Sequence, residues 1–283
     1  MGPHRRRWLA SAAVLLVAVA AFVVHQAQTD DTPLPHFVST STYLPQVAAD
    51  LYLPGTKARA PVVVLVPGGS WLSADRKGLA PLAENLAAHG VVAVNATYRA
   101  VNAGVRFPVP VADIVCAVDF AADRARRAGF VVGPVVVLGH SSGAHLAALA
   151  ALRAAHFRHD CPYPPARIDG LIGLAGPYDI TKLADVVQPL FGSTEAANPA
   201  LWKEGNPTEW VNERTAPPAL SVLLAHGSAD HDVSPWFSNT FSEELKDAGH
   251  RVQLTIVSGA GHGTIYTPKV IASTVIGWLA ALS

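Results

Sequence analysis

Short apolar runs, each bounded by glycine, proline or a polar cluster, dominate this chain from about Asp50 onward. Pro61-Val-Val-Val-Leu-Val66 ends in Pro67-Gly68-Gly69, Val91-Val-Ala-Val94 follows Gly90, and Pro134-Val-Val-Val-Leu138 runs straight into Gly139. Ile168–Leu174, Leu220–Ala225 and Val252–Val257 read as further strands. Runs without polar alternation fit strands buried on both faces, as in parallel sheets covered by helices. Between them lie helical signals. Leu79–His89 stops at Gly90, Val111–Ala128 stops at Gly129, and Ser142–Phe157 is rich in Ala and Leu. Ser234-Pro235 opens a helix that ends at Gly249, and Thr267-Pro268 opens the last one, reaching about Leu282. Strands alternating with helices imply right-handed crossovers. The expected fold is therefore three-layer α/β, a mostly parallel twisted sheet with helices on both faces. Val38–Leu53 alternates more and is expected to add antiparallel strands at one edge. Pro177–Pro218, rich in Pro, Asn, Trp and Gly, interrupts the pattern. Ligands bind at the C-terminal ends of such strands, so this insertion (177–218) is expected to form a short lid or pocket wall.

Composition removes several function classes. Half of the 283 residues are hydrophobic and 15% are charged, which excludes a disordered chain. Twenty-one basic residues balance 21 acidic ones, without the basic excess of a nucleic-acid binder. At the start, His4-Arg5-Arg6-Arg7 precedes the uncharged apolar run Leu9–Val24, and polar residues and prolines follow. That order predicts a signal peptide or an uncleaved N-terminal membrane anchor over residues 1–27. Either one places the remainder outside the cytoplasm, secreted or tethered to the membrane. Residues 28–48 are expected to be a linker and edge-strand entry, and 49–283 the main domain. Outside the cytoplasm two cysteines can pair. Cys116 on a helix and Cys161 in a loop are expected to form a disulfide; the alternative is two buried thiols. No Cys-x-x-Cys pair suggests zinc.

Gly139-His140-Ser141-Ser142-Gly143 fits G-x-S-x-G, the sharp strand-to-helix turn that thrusts a serine hydroxyl out of the backbone. The preceding Val-rich strand and following helix supply the context that this turn needs. The frame selects Ser141, which has glycine at both −2 and +2. Ser142 then offers a backbone N–H at a helix N-terminus. A nucleophilic serine needs a base and a carboxylate to orient it, in the chain order Ser, Asp/Glu, His. His262, in a Gly-rich loop just past the last strand, is the expected base. Asp230, on the loop after the penultimate strand, is the expected acid, with Asp232 as competitor. His145, one turn after Ser141, is poorly placed as base and is a candidate site-lining residue. His140 and His226 read as local hydrogen-bonding groups, and Asp179 as a structural turn residue. Pro67-Gly68-Gly69-Ser70-Trp71 occupies the loop that supplies the second oxyanion donor, so Gly68 and Gly69 are the candidates. Trp71 and His140 are assigned to the substrate pocket, with ordinary loop packing as the alternative for Trp71.

The set Gly68-Gly69-Ser70-Trp71, Gly139-His-Ser-Ser-Gly143-Ala-His145, His226-Gly-Ser-Ala-Asp230 and Gly261-His262-Gly263 resembles the α/β-hydrolase superfamily. Within it, the chain is similar to carboxylesterases of the hormone-sensitive-lipase-like and feruloyl-esterase-like branch, which includes the kynurenine formamidases. The resemblance covers almost everything after Asp50. It implies nucleophile, acid and base at Ser141, Asp230 and His262, the same residues that the bottom-up reading selects. Members with this pattern carry a His-Gly-Gly-x-Trp loop. Pro67 stands here in place of that histidine, so any brace the histidine provides must come from elsewhere.

These residues predict a serine carboxylesterase acting on small or medium acyl esters. The expected partner is a small-molecule ester, with no nucleic acid, metal or organic cofactor. The alternatives are an amide hydrolase (arylformamidase or small peptidase), a catalytically inactive binding module on the same scaffold, and a surface protein docking a partner through Trp202 and Trp210.

Overall fold

The computed structural model describes residues 37–212 and 219–282. The segment read as signal or anchor lies outside the described residues, as does the first part of the linker. Strands β1 (Phe37–Leu44) and β2 (Val47–Tyr52) pair antiparallel. Next come β3 (Arg59–Val66), α1 (Ala80–Ala88), β4 (Val92–Ala96), α2 (Val109–Arg127), β5 (Val131–His140), α3 (Ser142–Phe157) and β6 (Gly170–Leu174). Helices α4 (Ala184–Phe191) and α5 (Pro199–Glu204) precede β7 (Ser221–Gly227), α6 (Trp236–Asp247), β8 (Arg251–Val257) and α7 (Pro268–Leu282). The strands form one sheet in the order β1-β2-β4-β3-β5-β6-β7-β8. Pairing is antiparallel for β1/β2 and β2/β4 and parallel elsewhere.

The continuous apolar runs are explained by two cores. On β3, Val62, Val64 and Val66 pack in the core that includes α2, α3 and α6, while Val63 and Leu65 pack in the one with α1 and α7. All five are fully buried. Each such side chain contributes about 1.5–3 kcal/mol relative to exposure, which disfavours any polar replacement on either face. The edge strand β8 departs from this pattern: its residues are only partly buried or exposed, and Ile256 is 43% exposed.

Helix α2 carries two fully buried acids. The Arg99 backbone and guanidinium donate to Asp113. Arg158 and the Ala166 amide donate to Asp119. Removing one partner would strand a buried carboxylate, at a cost of about 3–5 kcal/mol. The structure joins Cys116 to Cys161 in a disulfide with a Cα–Cα distance of 5.4 Å, fastening the loop after α3 to α2.

The inserted segment carries α4, α5 and 3-10 turns at Ile180–Leu183 and Pro207–Trp210. Trp202 is buried and donates to the Ser193 carbonyl at 3.0 Å. Trp210 donates to the Glu204 carbonyl at 3.0 Å, with the Arg153 guanidinium 3.7 Å above its ring. Both tryptophans anchor the segment internally.

Candidate active site

β5 ends at His140 and α3 begins at Ser142, which leaves Ser141 alone at the corner. Its backbone, φ 55° and ψ −126°, lies outside the regions that L-residues ordinarily adopt. A side chain at Gly139 would overlap the Gly143 carbonyl, and one at Gly143 would overlap the carbonyls of Val66 and Pro67. The two glycines thus allow β5, α3 and the end of β3 to meet. The Ser141 N–H donates to the Leu174 carbonyl at 2.9 Å, tying the corner to β6.

The β8–α7 loop brings His262 over this corner. His262 Nδ1 lies 2.8 Å from Asp230 Oδ2, and Nε2 lies 2.9 Å from Ser141 Oγ. An ionised carboxylate only accepts, so Nδ1 carries the proton and Nε2 is free to accept from the serine hydroxyl. Asp230 follows β7 and is buried. Its Oδ1 accepts from the amides of Asp232 (3.0 Å) and Val233 (2.9 Å). Burial opposes its ionisation, but the Val233 amide, His262 and the Asp232 amide outweigh it and hold the carboxyl below its ordinary range. His226, fully buried, donates through Nε2 to the Val233 carbonyl at 2.9 Å, and the same nitrogen lies 3.2 Å from Asp230 Oδ2. Its Nδ1 then accepts from the Ser238 hydroxyl at 2.7 Å. Burial lowers its pKa, so it braces the acid as a neutral ring. Asp232 reaches Asp230 through its backbone, and His262 bonds to Asp230.

A cavity of about 300 Å³ opens beside Ser141. Its lining includes Gly68, Gly69, Ser70, His140, His262 and Tyr266. Gly68 approaches the corner so closely that an added Cβ would stand 3.0 Å from Ser141 Cβ and 3.1 Å from His140 Nδ1. Ser142 is buried at the start of α3, where first-turn amides lack intrahelical partners. His140 lines the cavity and donates through Nε2 to the His262 carbonyl at 3.0 Å. Its ring lies 4.5 Å from that of Tyr266, and burial together with the neighbouring His262 pulls its pKa down to about 4. Tyr266, two residues before α7, was not singled out in the sequence; its spacing four residues after His262 was the available signal.

Trp71 is a correction. Expected at the pocket wall, it is buried and does not line this cavity. Its indole points instead at His145, with Nε1 3.1 Å from Nδ1. His145, fully buried, likewise turns away from the cavity. Asp179 caps the first inserted 3-10 turn and accepts from Thr181, as a turn residue would.

A larger cavity, about 990 Å³, lies at the N-terminal ends of β5–β8, beside Pro134, Asp169 and Arg251. It does not reach Ser141; the reactive groups converge at the smaller one. Asp230, Asp232 and His262 bring ligand-type atoms within 4.8 Å of one another. A cation there would compete with the His262–Asp230 hydrogen bond, so the donor set suits a proton relay better than a metal.

The BD-FAE family model matches residues 49–245, covering the elbow serine and the acid. The chain belongs to the BD-FAE family. It is thereby a member of an α/β-hydrolase carboxylesterase family. Among relatives, esterase LipC of Mycobacterium tuberculosis is 30% identical over 72% of this chain and 53% of its own length. A probable isoprenylcysteine alpha-carbonyl methylesterase of Oryza sativa subsp. japonica is 28% identical over 78% of this chain and 56% of its own. The chain thus spans about half the length of these relatives. In structure it is similar to esterase Est2 of Thermogutta terrifontis, with a TM-score of 0.67 and 22% identity over 87% of this chain and 91% of that one. This likeness establishes the shared α/β-hydrolase fold.

Proposed function

We propose that this protein is a serine carboxylesterase that hydrolyses small acyl esters through an acyl-enzyme. The observation that carries the reading is the continuous line Asp230 Oδ2–His262 Nδ1 (2.8 Å) and His262 Nε2–Ser141 Oγ (2.9 Å), opening on a cavity. Esterase relatives support it. His262 Nε2 takes the Ser141 proton as Oγ attacks the acyl carbon. The amides of Gly68, Gly69 and Ser142 hold the developing oxyanion. Collapse expels the alcohol, which leaves with the proton from His262. A water, deprotonated by His262, then attacks the acyl-serine, and the acid departs as Ser141 regains its proton. Asp230 fixes the imidazole tautomer and stabilises the imidazolium.

The cavity of about 300 Å³ is at the lower end of the range for small-molecule sites. A short acyl group fits that volume, and polar Ser70, His140 and Tyr266 suit an oxygen-bearing substrate better than a long hydrocarbon. The basic–apolar–polar order at the N-terminus and the paired cysteines support an extracytoplasmic site of action. The test is a series of p-nitrophenyl esters of rising chain length, given to the full chain and to Ser141→Ala. The reading expects Ser141-dependent turnover, highest for the shortest acyl groups. Equal turnover by Ser141→Ala would overturn it.

A further inference from the structure

The loop after β3 is strained, and part of its restraint comes from outside it. Gly69 has φ +138°, and the next two residues, Ser70 (φ 51°) and Trp71 (φ 61°), are both left-handed. Such backbone persists only where its surroundings hold it. Backbone bonds do part of this. The amides of Leu72 and Ser73 donate to the Gly69 carbonyl, and the Val101 amide donates to the Trp71 carbonyl at 3.0 Å. The side chain of Trp71 adds a tie from outside the loop. An indole N–H can only donate, so His145 Nδ1 accepts it at 3.1 Å and His145 Nε2 carries the ring proton. That Nε2–H donates to the Gly205 carbonyl at 2.8 Å. Both ring nitrogens are thus satisfied in one neutral tautomer. Gly205 is itself fixed, because α5 ends there and the next residue, Asn206, accepts from the Ile180 amide at 3.2 Å.

We propose that His145 is a positioning residue for the oxyanion loop: it ties Trp71 to the inserted segment at Gly205 and holds the Gly68–Gly69 amides at the distance from Ser141 that the reaction needs. His145 supplies a brace from one turn along the nucleophile's own helix, in a loop where Pro67 has no side-chain donor. The bond it makes to Gly205 fixes the tautomer that leaves Nδ1 free to accept from Trp71. The inference rests on the serine-esterase reading above.

Two replacements divide the two bonds of the ring. His145→Asn places an acceptor oxygen where Nδ1 meets Trp71 and abandons Gly205; His145→Gln places a donor where Nε2 meets Gly205 and abandons Trp71. Trp71→Phe removes the indole N–H while keeping a ring in place. Steady-state hydrolysis of p-nitrophenyl acetate by the full chain is measured well below each variant's melting temperature, with Ser141→Ala as the blank. The expected result is that Trp71→Phe and His145→Gln lose about 10- to 100-fold in kcat with KM little changed, the scale of a misplaced catalytic group. The double variant loses no more than either single one, because the same bond is gone. His145→Asn, which keeps an acceptor for Trp71 but loses the Gly205 anchor, loses less kcat than His145→Gln. If Trp71→Phe and His145→Gln keep the parental kcat and lose only melting temperature, the pair is packing alone and the proposal falls. If the parent shows no Ser141-dependent turnover, the esterase reading itself has failed, a distinguishable result.

Discussion

The line Ser141–His262–Asp230 and the loop Gly68–Ser70 face each other across one small cavity, yet they are held in place by different means. Each acid–base side chain stands just beyond the C-terminal end of a parallel strand, where the fold delivers it. Ser141 follows β5, Asp230 follows β7, and His262 follows β8. Their contacts are with one another, with nearby backbone and with the adjoining rings of His226 and His140. The loop follows β3 too, but where the relay has one residue at positive φ, Ser141, the loop has three. Gly69, Ser70 and Trp71 take positive φ in succession, and His145, a residue 74 positions from Trp71, helps fix them. The proton relay is placed mainly by topology, whereas the oxyanion loop depends also on a tertiary contact from α3.

The largest predicted effect lies on the relay. Asp230→Asn keeps an oxygen for the Val233 and Asp232 amides but can present an N–H to His262 Nδ1. The imidazole proton then moves to Nε2, which can no longer accept from Ser141. A fall in kcat of about 10³- to 10⁴-fold is expected, with near-parental secondary structure by circular dichroism. A loss under tenfold would mean that the relay does not depend on this tautomer.

On the loop, Gly69→Ala meets two obstacles. Its φ of +138° is one that L side chains rarely adopt, and an added Cβ would overlap the Ser73 carbonyl. The loop must shift, and a fall in kcat of about 10²-fold is expected, the scale of one lost oxyanion donor. Parental kcat would show that the strained form is not the active one and would break the contrast drawn above.

The smallest effect concerns stability. Burial pulls the pKa of His145 down to about 4 from its ordinary 6.5. Between those values the unfolded chain binds more protons than the folded one. The stability that the neutral ring contributes is therefore complete above pH 6.5 and is lost as pH falls towards 4. From pH 7.5 to 5 this amounts to about 2 kcal/mol. His145→Asn removes the titrating group and should reduce the acid-side loss by about that much in urea melts at the two pH values. An unchanged pH slope would mean that the ring is not held neutral by the fold.

The contrast also explains what was legible in the sequence. The strands and the elbow were, because an unbroken apolar run ending in glycine has few other uses. The acid and base followed from their places after β7 and β8. The antiparallel edge at Phe37–Tyr52 showed as alternation. The inserted helices α4 and α5 did not show, because they are short, interrupted or opened by proline, and held by buried Trp202 and Phe191 rather than by a periodic face of their own. The Trp71–His145 pair was equally hidden. His145 carried one signal, a lone imidazole in the first turns of a helix that is buried from Ser142 to Leu152. Nothing in spacing names its partner, so the sequence leaves Trp71 between pocket wall and loop packing, and the structure places it behind the loop.

The most direct test of the central claim is to label the full chain with a fluorophosphonate probe and map the adduct by mass spectrometry. The account predicts one adduct, on Ser141, absent from Ser141→Ala and strongly slowed in Asp230→Asn. Folded protein that stays unlabelled, or carries its adduct on another residue, would contradict it.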